Sequence, residues 1–177
     1  MVKPLISILM NCYNGEKFLK EALEGVINQT YKNWELVFWD NKSLDNSAKI
    51  FNSYSEKRFK YFLAPNHTGL GAARNRAFKH LKGEYVAVLD VDDIWLPTKL
   101  EKQIKHFTDK EVGIVISNAY FFNKKKKVLI YKKKPFEGWV FDQLLENYYV
   151  CLVTLLFKKS LIKKLKNNFD PEFDFIA

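Results

Sequence analysis

The chain has 177 residues, of which 47% are hydrophobic, 16% aromatic and 28% charged. This length fits one domain, and the apolar content is enough for a hydrophobic core without disulfide support. The composition therefore excludes a disordered chain, a collagen-like repeat and a small disulfide scaffold. Cys12 and Cys151 are the only cysteines, and their spacing matches no zinc site or disulfide framework.

No apolar segment has the length of a membrane span. The longest apolar runs, 85–89 and 150–157, are strand-sized, whereas a spanning helix needs about 18 or more apolar residues. No leader-like stretch follows Met1. We therefore expect a cytoplasmic protein.

The net charge of +9 is unevenly distributed: residues 1–123 carry +3 and residues 124–177 carry +6. Two lysine runs, 124–127 and 132–134, account for most of the second value. Such a patch suits an anionic membrane surface, nucleic acid or a phosphorylated substrate. A solvated hairpin whose lysines keep a sheet edge soluble is the simpler interpretation.

Strand and helix patterns alternate along the first 110 residues. Short runs rich in branched residues predict strands, and apolar positions three and four apart predict helices. Strands are predicted at 5–10, 34–39, 59–63 and 85–89, and the helices that follow them at 16–28, 45–54, 69–81 and 98–107. Repeated strand–helix units require crossover connections, so we predict an α/β fold with a mainly parallel central sheet and helices on both faces.

After residue 112 the pattern becomes mixed, and we expect a smaller antiparallel part that completes a single domain over 1–177. The chain ends at 173–177 in an apolar stretch without a helix cap or polar tail, which is typical of a fragment of a longer protein. Strands are predicted at 113–122, 128–132 and 150–157, and short helices at 141–147 and 160–165.

Polar residues follow each of the four predicted parallel strands. In such sheets, ligands bind beyond the carboxyl ends of the strands. Asn, Asp and Gly also form ordinary turns, so a single polar tip, meaning the polar residues directly after one strand, does not distinguish a turn from a ligand site. Four polar tips together favour a ligand site. The four tips are Asn-Cys-Tyr-Asn at 11–14, Asp-Asn-Lys-Ser-Leu-Asp at 40–45, Asn-His-Thr-Gly at 66–69 and Asp-Val-Asp-Asp at 90–93.

The tip at 90–93 places the carboxylates of Asp90, Asp92 and Asp93 close together. Their mutual repulsion favours a bound cation. Mg²⁺ or Mn²⁺ suits this tip, because such ions take one or two carboxylates together with substrate phosphates. A helix cap at Asp93 is the alternative.

Three other residue types suit a nucleoside diphosphate. Tyr13 offers a flat face for a base, and Asp40 can accept a hydrogen bond from a base N–H or a ribose hydroxyl. Arg74 lies in the first turns of a helix entered through Gly69, where its guanidinium and backbone N–H groups can hold a diphosphate.

Four motifs stand in a fixed order within residues 4–100. They are ISILMNCYNGE at 6–16, VFWDNKSLDNS at 37–47, GLGAARN at 69–75 and GEYVAVLDVDD at 83–93. With these motifs the chain resembles the N-terminal domain of a family-2 glycosyltransferase with the GT-A fold. The resemblance implies transfer of a sugar, with inversion, from a nucleotide-sugar donor to a glycan or lipid-linked acceptor, with a UDP-sugar favoured and bacterial cell-surface polysaccharide or glycolipid synthesis as the setting.

The resemblance also implies residue roles. Tyr13 faces the nucleobase, Asp40 binds base or ribose, and Arg74 supports base and diphosphate. Asp92 is the principal ligand of Mg²⁺ or Mn²⁺, and Asp90 lies near the ribose and the metal. The implied nucleotide-sugar-binding set is Asn11, Tyr13, Asn14, Asp40, Gly69, Arg74 and Asp90.

Two positions depart from the family pattern: Asn11 stands where the family usually has Pro, and Asn41-Lys42 where it often has Asp-Gly. The family's catalytic base comes from an acidic pair beyond a segment that resembles 168–171. We therefore expect the base beyond Ala177, and neither Glu172 nor Asp174 is assigned that role. Residues 1–110 correspond to the nucleotide-sugar-binding half and residues 111–177 to the start of the acceptor-binding half.

Three alternatives remain at this point. A nucleotidyltransferase carries a Gly-rich, Arg- and Lys-containing loop after its first strand, and residues 11–15 do not supply one. A nucleic-acid-binding module would explain the charge, but no module signature occurs, so we expect no nucleic-acid partner. A paralogue that binds without catalysis is the third.

Peripheral contact with the inner membrane face is predicted through Lys124, Lys125, Lys126 and Lys127.

Overall fold

The computed structural model describes residues 3–123, 125–163, 165, 169 and 170. Among these residues, no helix combines the length and the apolar composition needed to cross a membrane. The elements, in chain order, are β1 (Ile6–Cys12), α1 (Glu16–Ile27), β2 (Trp34–Asp40), α2 (Ser47–Asn52), β3 (Phe59–Leu63), α3 (Leu70–Phe78), β4 (Tyr85–Val88), α4 (Lys99–Ile104), β5 (Ile114–Val115), β6 (Tyr120–Phe122), β7 (Lys127–Leu129), α5 (Phe141–Glu146) and β8 (Leu156–Lys158).

A six-stranded sheet in the order β3-β2-β1-β4-β8-β5 organises the fold. The pairs β3–β2, β2–β1 and β1–β4 are parallel, which confirms the predicted α/β fold with a mainly parallel sheet. Every residue of β1 and β2 is buried. This burial on both faces explains why these strands are almost continuously apolar.

The core lies on the two faces of this sheet. Successive side chains of a strand point to opposite faces, so Ile8 packs with α1 residues such as Leu23, whereas Leu9 packs with α3 residues such as Ala77. At the start of the sheet, Ser7 meets Gly83 so closely that a Cβ added to this glycine would lie 2.6 Å from the Ser7 backbone nitrogen. Only glycine fits there.

The part after residue 112 is antiparallel, as predicted, but its elements differ from the prediction. β8 pairs antiparallel with β4 and β5, and β6 and β7 form a separate hairpin. The single strand predicted at 113–122 is wrong, because it divides into β5 and β6 in different sheets. Asn118 lies at the break, and its side-chain oxygen accepts the N–H groups of Ala119 and Tyr131.

Two further predictions in this part differ from the structure in detail. The strand predicted at 150–157 is a strand only at its end, because a 3₁₀ turn, Leu152–Thr154, precedes β8. The short helix predicted at 160–165 is a 3₁₀ helix with shifted bounds, Lys159–Ile162. Such short turns lack the apolar spacing that makes longer helices predictable.

Candidate functional site

The loops after β1 and β2 are joined at the carboxyl edge of the sheet. The Asn14 side-chain oxygen accepts the N–H of Leu44 at 2.8 Å, and the Asp45 carboxylate accepts the N–H of Glu16 at 2.9 Å. Asn14 has a φ of 53°, a left-handed conformation that asparagine tolerates better than most residues. Asn14 therefore holds the two loops together.

Asp40 ends β2 and is 1% exposed. One carboxylate oxygen accepts the Tyr61 hydroxyl at 2.6 Å, and the other accepts the Ser43 N–H at 2.7 Å. Burial, together with the hydrogen bond to Asp40, raises the pKa of Tyr61. Asp40 thus fixes the loop that follows it, and its contact with a base or ribose stays a prediction.

Tyr13 lies beside the loop that follows β3 and is 46% exposed. Its ring centroid lies 4.1 Å from that of His67. The His67 Nδ1 is 3.0 Å from the carbonyl oxygen of Asn41, whose side-chain amide donates to the Thr68 carbonyl at 2.7 Å. These contacts join a third loop to the edge and leave an aromatic surface open to a flat ligand.

Arg74 is buried on α3, and Gly69 is the residue immediately before that helix. The Arg74 Nη2 donates to Asp90 Oδ1 at 2.8 Å, whereas its Nε and Nη1 have no hydrogen-bond partner among the described residues. Both side-chain polar atoms of Asn11 are also buried and have no hydrogen-bond partner among the described residues. By strand alternation from Leu9, Asn11 points to the α3 face. The buried polar atoms of Arg74 and Asn11 that lack a partner among the described residues therefore lie on the α3 side of the sheet.

The acidic turn at 90–93 closes with a hydrogen bond from the Asp93 N–H to the Asp90 carbonyl at 3.1 Å. Asp92 is exposed, and the Asp90 side chain is 36% exposed. Burial, together with the nearby carboxylates of Asp90 and Asp92, raises the pKa of Asp93 to about 6. The described part of the chain holds no group of three His, Cys, Asp or Glu side chains able to bind a metal. Mg²⁺ and Mn²⁺ bind one or two protein carboxylates together with phosphate oxygens, and such binding by Asp90 and Asp92 stays a prediction.

A segment of the antiparallel part borders this turn. The Trp95 indole N–H donates to the Val153 carbonyl at 3.2 Å. Burial raises the pKa of Cys151, and the charges of Asp93 and Asp90 contribute to the rise. The hydrogen bond from Trp95 to Val153 therefore places this segment beside the residues that follow the acidic turn.

Two site contacts escape sequence reasoning. From the sequence alone, Tyr61 is interpreted as a core aromatic residue of β3, and His67 as a single histidine in a loop. Only the register of β2 against β3, which places Phe38 opposite Tyr61, indicates that Tyr61 can reach Asp40 two residues further on. Four residues named in the sequence analysis lie outside the described residues: Lys124, Glu172, Asp174 and Ala177.

The fold and the edge of four polar loops define a GT-A domain, and two similar solved structures agree. The chain is similar to TarS of Staphylococcus aureus in complex with UDP, with a TM-score of 0.75 and 24% identity over 89% of this chain and 48% of that one. It is also similar to a mannosyltransferase of Pyrobaculum calidifontis in complex with GDP-Man and Mn²⁺, with a TM-score of 0.70 and 20% identity over 94% of this chain and 48% of that one.

The family model described as glycosyl transferase family 2 matches residues 7–166, and the chain belongs to this family. It is 33% identical to a glycosyltransferase of Methanocaldococcus jannaschii over 94% of this chain and 60% of that protein. It is 30% identical to the Escherichia coli protein WfgD, a UDP-Glc:alpha-D-GlcNAc-diphosphoundecaprenol beta-1,3-glucosyltransferase, over 97% of this chain and 67% of that protein. The chain thus spans about two thirds of these relatives' length.

Proposed function

We propose that this chain is the donor-binding part of an inverting glycosyltransferase that transfers a sugar from a nucleotide-diphosphate sugar to an acceptor hydroxyl. The observation that carries the proposal is the convergence of the loop residues Tyr13 and Asp40 with Arg74 and Asp90 at one edge of the sheet. An aromatic face, carboxylates and a guanidinium are the groups that recognise a base, a ribose and a diphosphate.

The donor chemistry is inferred from the site and its relatives together. UDP and GDP-Man are bound by the similar structures, and UDP-Glc stands in the name of the similar WfgD. We favour a UDP-sugar. For the acceptor we favour a lipid-linked glycan, since the WfgD name specifies a diphosphoundecaprenol acceptor, and cell-surface polysaccharide or glycolipid synthesis as the setting.

Asp92, with Asp90, would hold Mg²⁺ or Mn²⁺ in this proposal. The fit rests on geometry: the Asp92 side chain is exposed, and the Asp90 side chain, 36% exposed, lies two residues earlier in the same turn. When bound, such an ion stabilises the charge that develops on the departing diphosphate. The Arg74 guanidinium keeps one oxygen of Asp90 in place at 2.8 Å, which orients this carboxylate for the same edge.

Inversion needs a general base that removes the proton of the attacking hydroxyl from the face opposite the diphosphate. We assign that role to no described residue, and the proposal for this chain concerns donor binding.

The test is calorimetric titration of UDP, with GDP as the comparison, in the presence and absence of Mn²⁺. We expect UDP binding that depends on Mn²⁺, is tighter than GDP binding and is lost in Asp92→Ala. Asp142→Ala removes an equally exposed carboxylate from α5 and serves as the control. Binding that is indifferent to Mn²⁺ and to Asp92→Ala would contradict the metal assignment, and release of pyrophosphate from UTP would favour a nucleotidyltransferase.

A further inference from the structure

The β6–β7 hairpin and the segment after it expose aromatic side chains next to lysines. Phe122, which lies opposite Lys127 in the hairpin, is 52% exposed, and Trp139 is 97% exposed. Between them lie the lysines at 125–127 and 132–134, and Glu137 is the only acidic residue from 119 to 141. We call Phe122, 125–127, 132–134 and Trp139 the basic aromatic surface.

Solubility explains the lysines of this surface but not its aromatic residues. The other three tryptophans, Trp34, Trp39 and Trp95, are 1%, 6% and 4% exposed, so Trp139 alone stands in solvent. Exposed apolar side chains that are grouped and rimmed by polar residues mark interaction sites, and Phe122, Phe136 and Trp139 are 52%, 65% and 97% exposed. A hairpin of two short strands buries little on its own, so its apolar side chains gain from a partner surface.

The hairpin is nevertheless held in a defined shape. The Asn123 side-chain oxygen accepts the N–H groups of Lys125 and Lys126 at 2.9 and 3.0 Å, which orders the lysine tip. At the base, the Tyr131 hydroxyl donates to the Tyr149 carbonyl at 2.7 Å. The ring of Phe136 also lies 6.4 Å from that of Tyr149. These contacts tie the segment after the second lysine run to the base of the hairpin.

We propose that the basic aromatic surface docks on the surface of an anionic lipid bilayer. Lysines near such a surface gain from its negative potential, while exposed Trp and Phe side chains insert at the boundary between headgroups and acyl chains. Charge complementarity singles out an anionic bilayer, and the exposed indole matches the preference of Trp for the membrane interface. The inference does not depend on the proposed donor chemistry.

Trp139 provides a direct readout, because it is the one solvent-exposed tryptophan. We expect the chain to cosediment with vesicles of phosphatidylcholine and phosphatidylglycerol in equal parts, but not with pure phosphatidylcholine. Its tryptophan emission should move to shorter wavelength on binding. Trp139→Phe should keep the cosedimentation and lose the emission shift. Cosedimentation without a shift in the unaltered chain would overturn the docking geometry.

Two triple variants test the charges independently. K125Q/K126Q/K127Q and K132Q/K133Q/K134Q should each weaken vesicle binding more than about tenfold, and high salt should weaken it in the unaltered chain. The control K20Q/K49Q/K79Q removes the same charge from exposed positions on or next to α1, α2 and α3. Equal loss in the control would overturn the proposal.

Two other results would assign the basic aromatic surface to a different partner. A dimer that is dispersed by F122S/W139S, in a chain that does not bind anionic vesicles, would assign the surface to a second copy instead. Binding to duplex DNA but not to vesicles would assign it to nucleic acid. Circular dichroism of each variant reports whether it is folded, so that loss of vesicle binding in a variant that keeps the spectrum of the unaltered chain counts as support.

Discussion

The Nη2 of Arg74 lies 2.8 Å from the Oδ1 of Asp90 and joins α3 to the turn that follows β4. Arg74 is 1% exposed, whereas a third of the Asp90 side chain reaches solvent. The guanidinium has no second acidic partner among the described ion pairs. Asp90 is therefore both a structural counterion and an edge residue of the proposed site.

Asp90→Asn should destabilise the fold by about 3 kcal/mol, because it leaves a buried guanidinium without its counterion. Asp92→Asn should change the free energy of unfolding by less than about 0.5 kcal/mol, because this side chain is exposed and unpaired in the described chain. Urea unfolding measures both. Equal losses in the two variants would contradict the counterion role, whereas loss of Mn²⁺-dependent UDP binding is expected in both.

Tyr61→Phe should cost about 2 kcal/mol, since it removes a hydrogen bond to a buried carboxylate. The same change should weaken UDP binding, because the Asp40 carboxylate then keeps only the hydrogen bond from the Ser43 N–H among the described residues. Tyr54→Phe is the control, as the hydroxyl of Tyr54 has no hydrogen bond to a described residue. Thermal unfolding and UDP titration check the pair, and identical behaviour of the two variants would remove Tyr61 from the site.

Asn11→Val should stabilise the ligand-free chain by about 1–2 kcal/mol, because both polar atoms of this buried amide lack a partner in the described structure. Ser7, on the same face of β1, donates to Glu35 at 2.7 Å and accepts the Gly83 N–H. Ser7→Ala should therefore cost about 1–3 kcal/mol. Chemical unfolding measures both, and destabilisation by Asn11→Val would show that its amide is satisfied in solution.

Lys99 should make stability depend on pH. Its ammonium donates to Gln103 at 2.7 Å and lies 4.2 Å from the centroid of Trp95, and burial lowers the pKa of Lys99 to about 7. The folded chain therefore releases this proton near pH 7, while the unfolded chain holds it to a much higher pH. Stability attributable to Lys99 rises with pH above that point.

Lys99→Met should remove this rise, because methionine has no proton to release. The free energy of unfolding of the unaltered chain, relative to that of Lys99→Met, should grow steadily as the pH is raised from neutral. Lys102→Met alters an exposed lysine of the same helix and should leave the pH dependence unchanged. Parallel curves for the unaltered chain and Lys99→Met would contradict the buried-ammonium assignment.

The first part of the fold was predictable because its signals are local and repeated. Strands covered on both faces must be continuously apolar, and α1 must repeat its apolar residues at helical spacing. The antiparallel part lacks such repetition. β5, β6 and β8 have two or three residues each, and the side chain of Asn118 breaks a run that the sequence presents as one strand.

The α/β fold, the polar loops at the carboxyl edge of the sheet and the four motifs could be predicted from the sequence, since each depends on residue type and short spacing. Which side chains contact each other depends on the tertiary structure. Tyr61 reaches Asp40 through the register of two strands, and Arg74 reaches Asp90 through the packing of α3. Such contacts join residues 16 to 21 positions apart, where spacing along the chain no longer fixes distance in space.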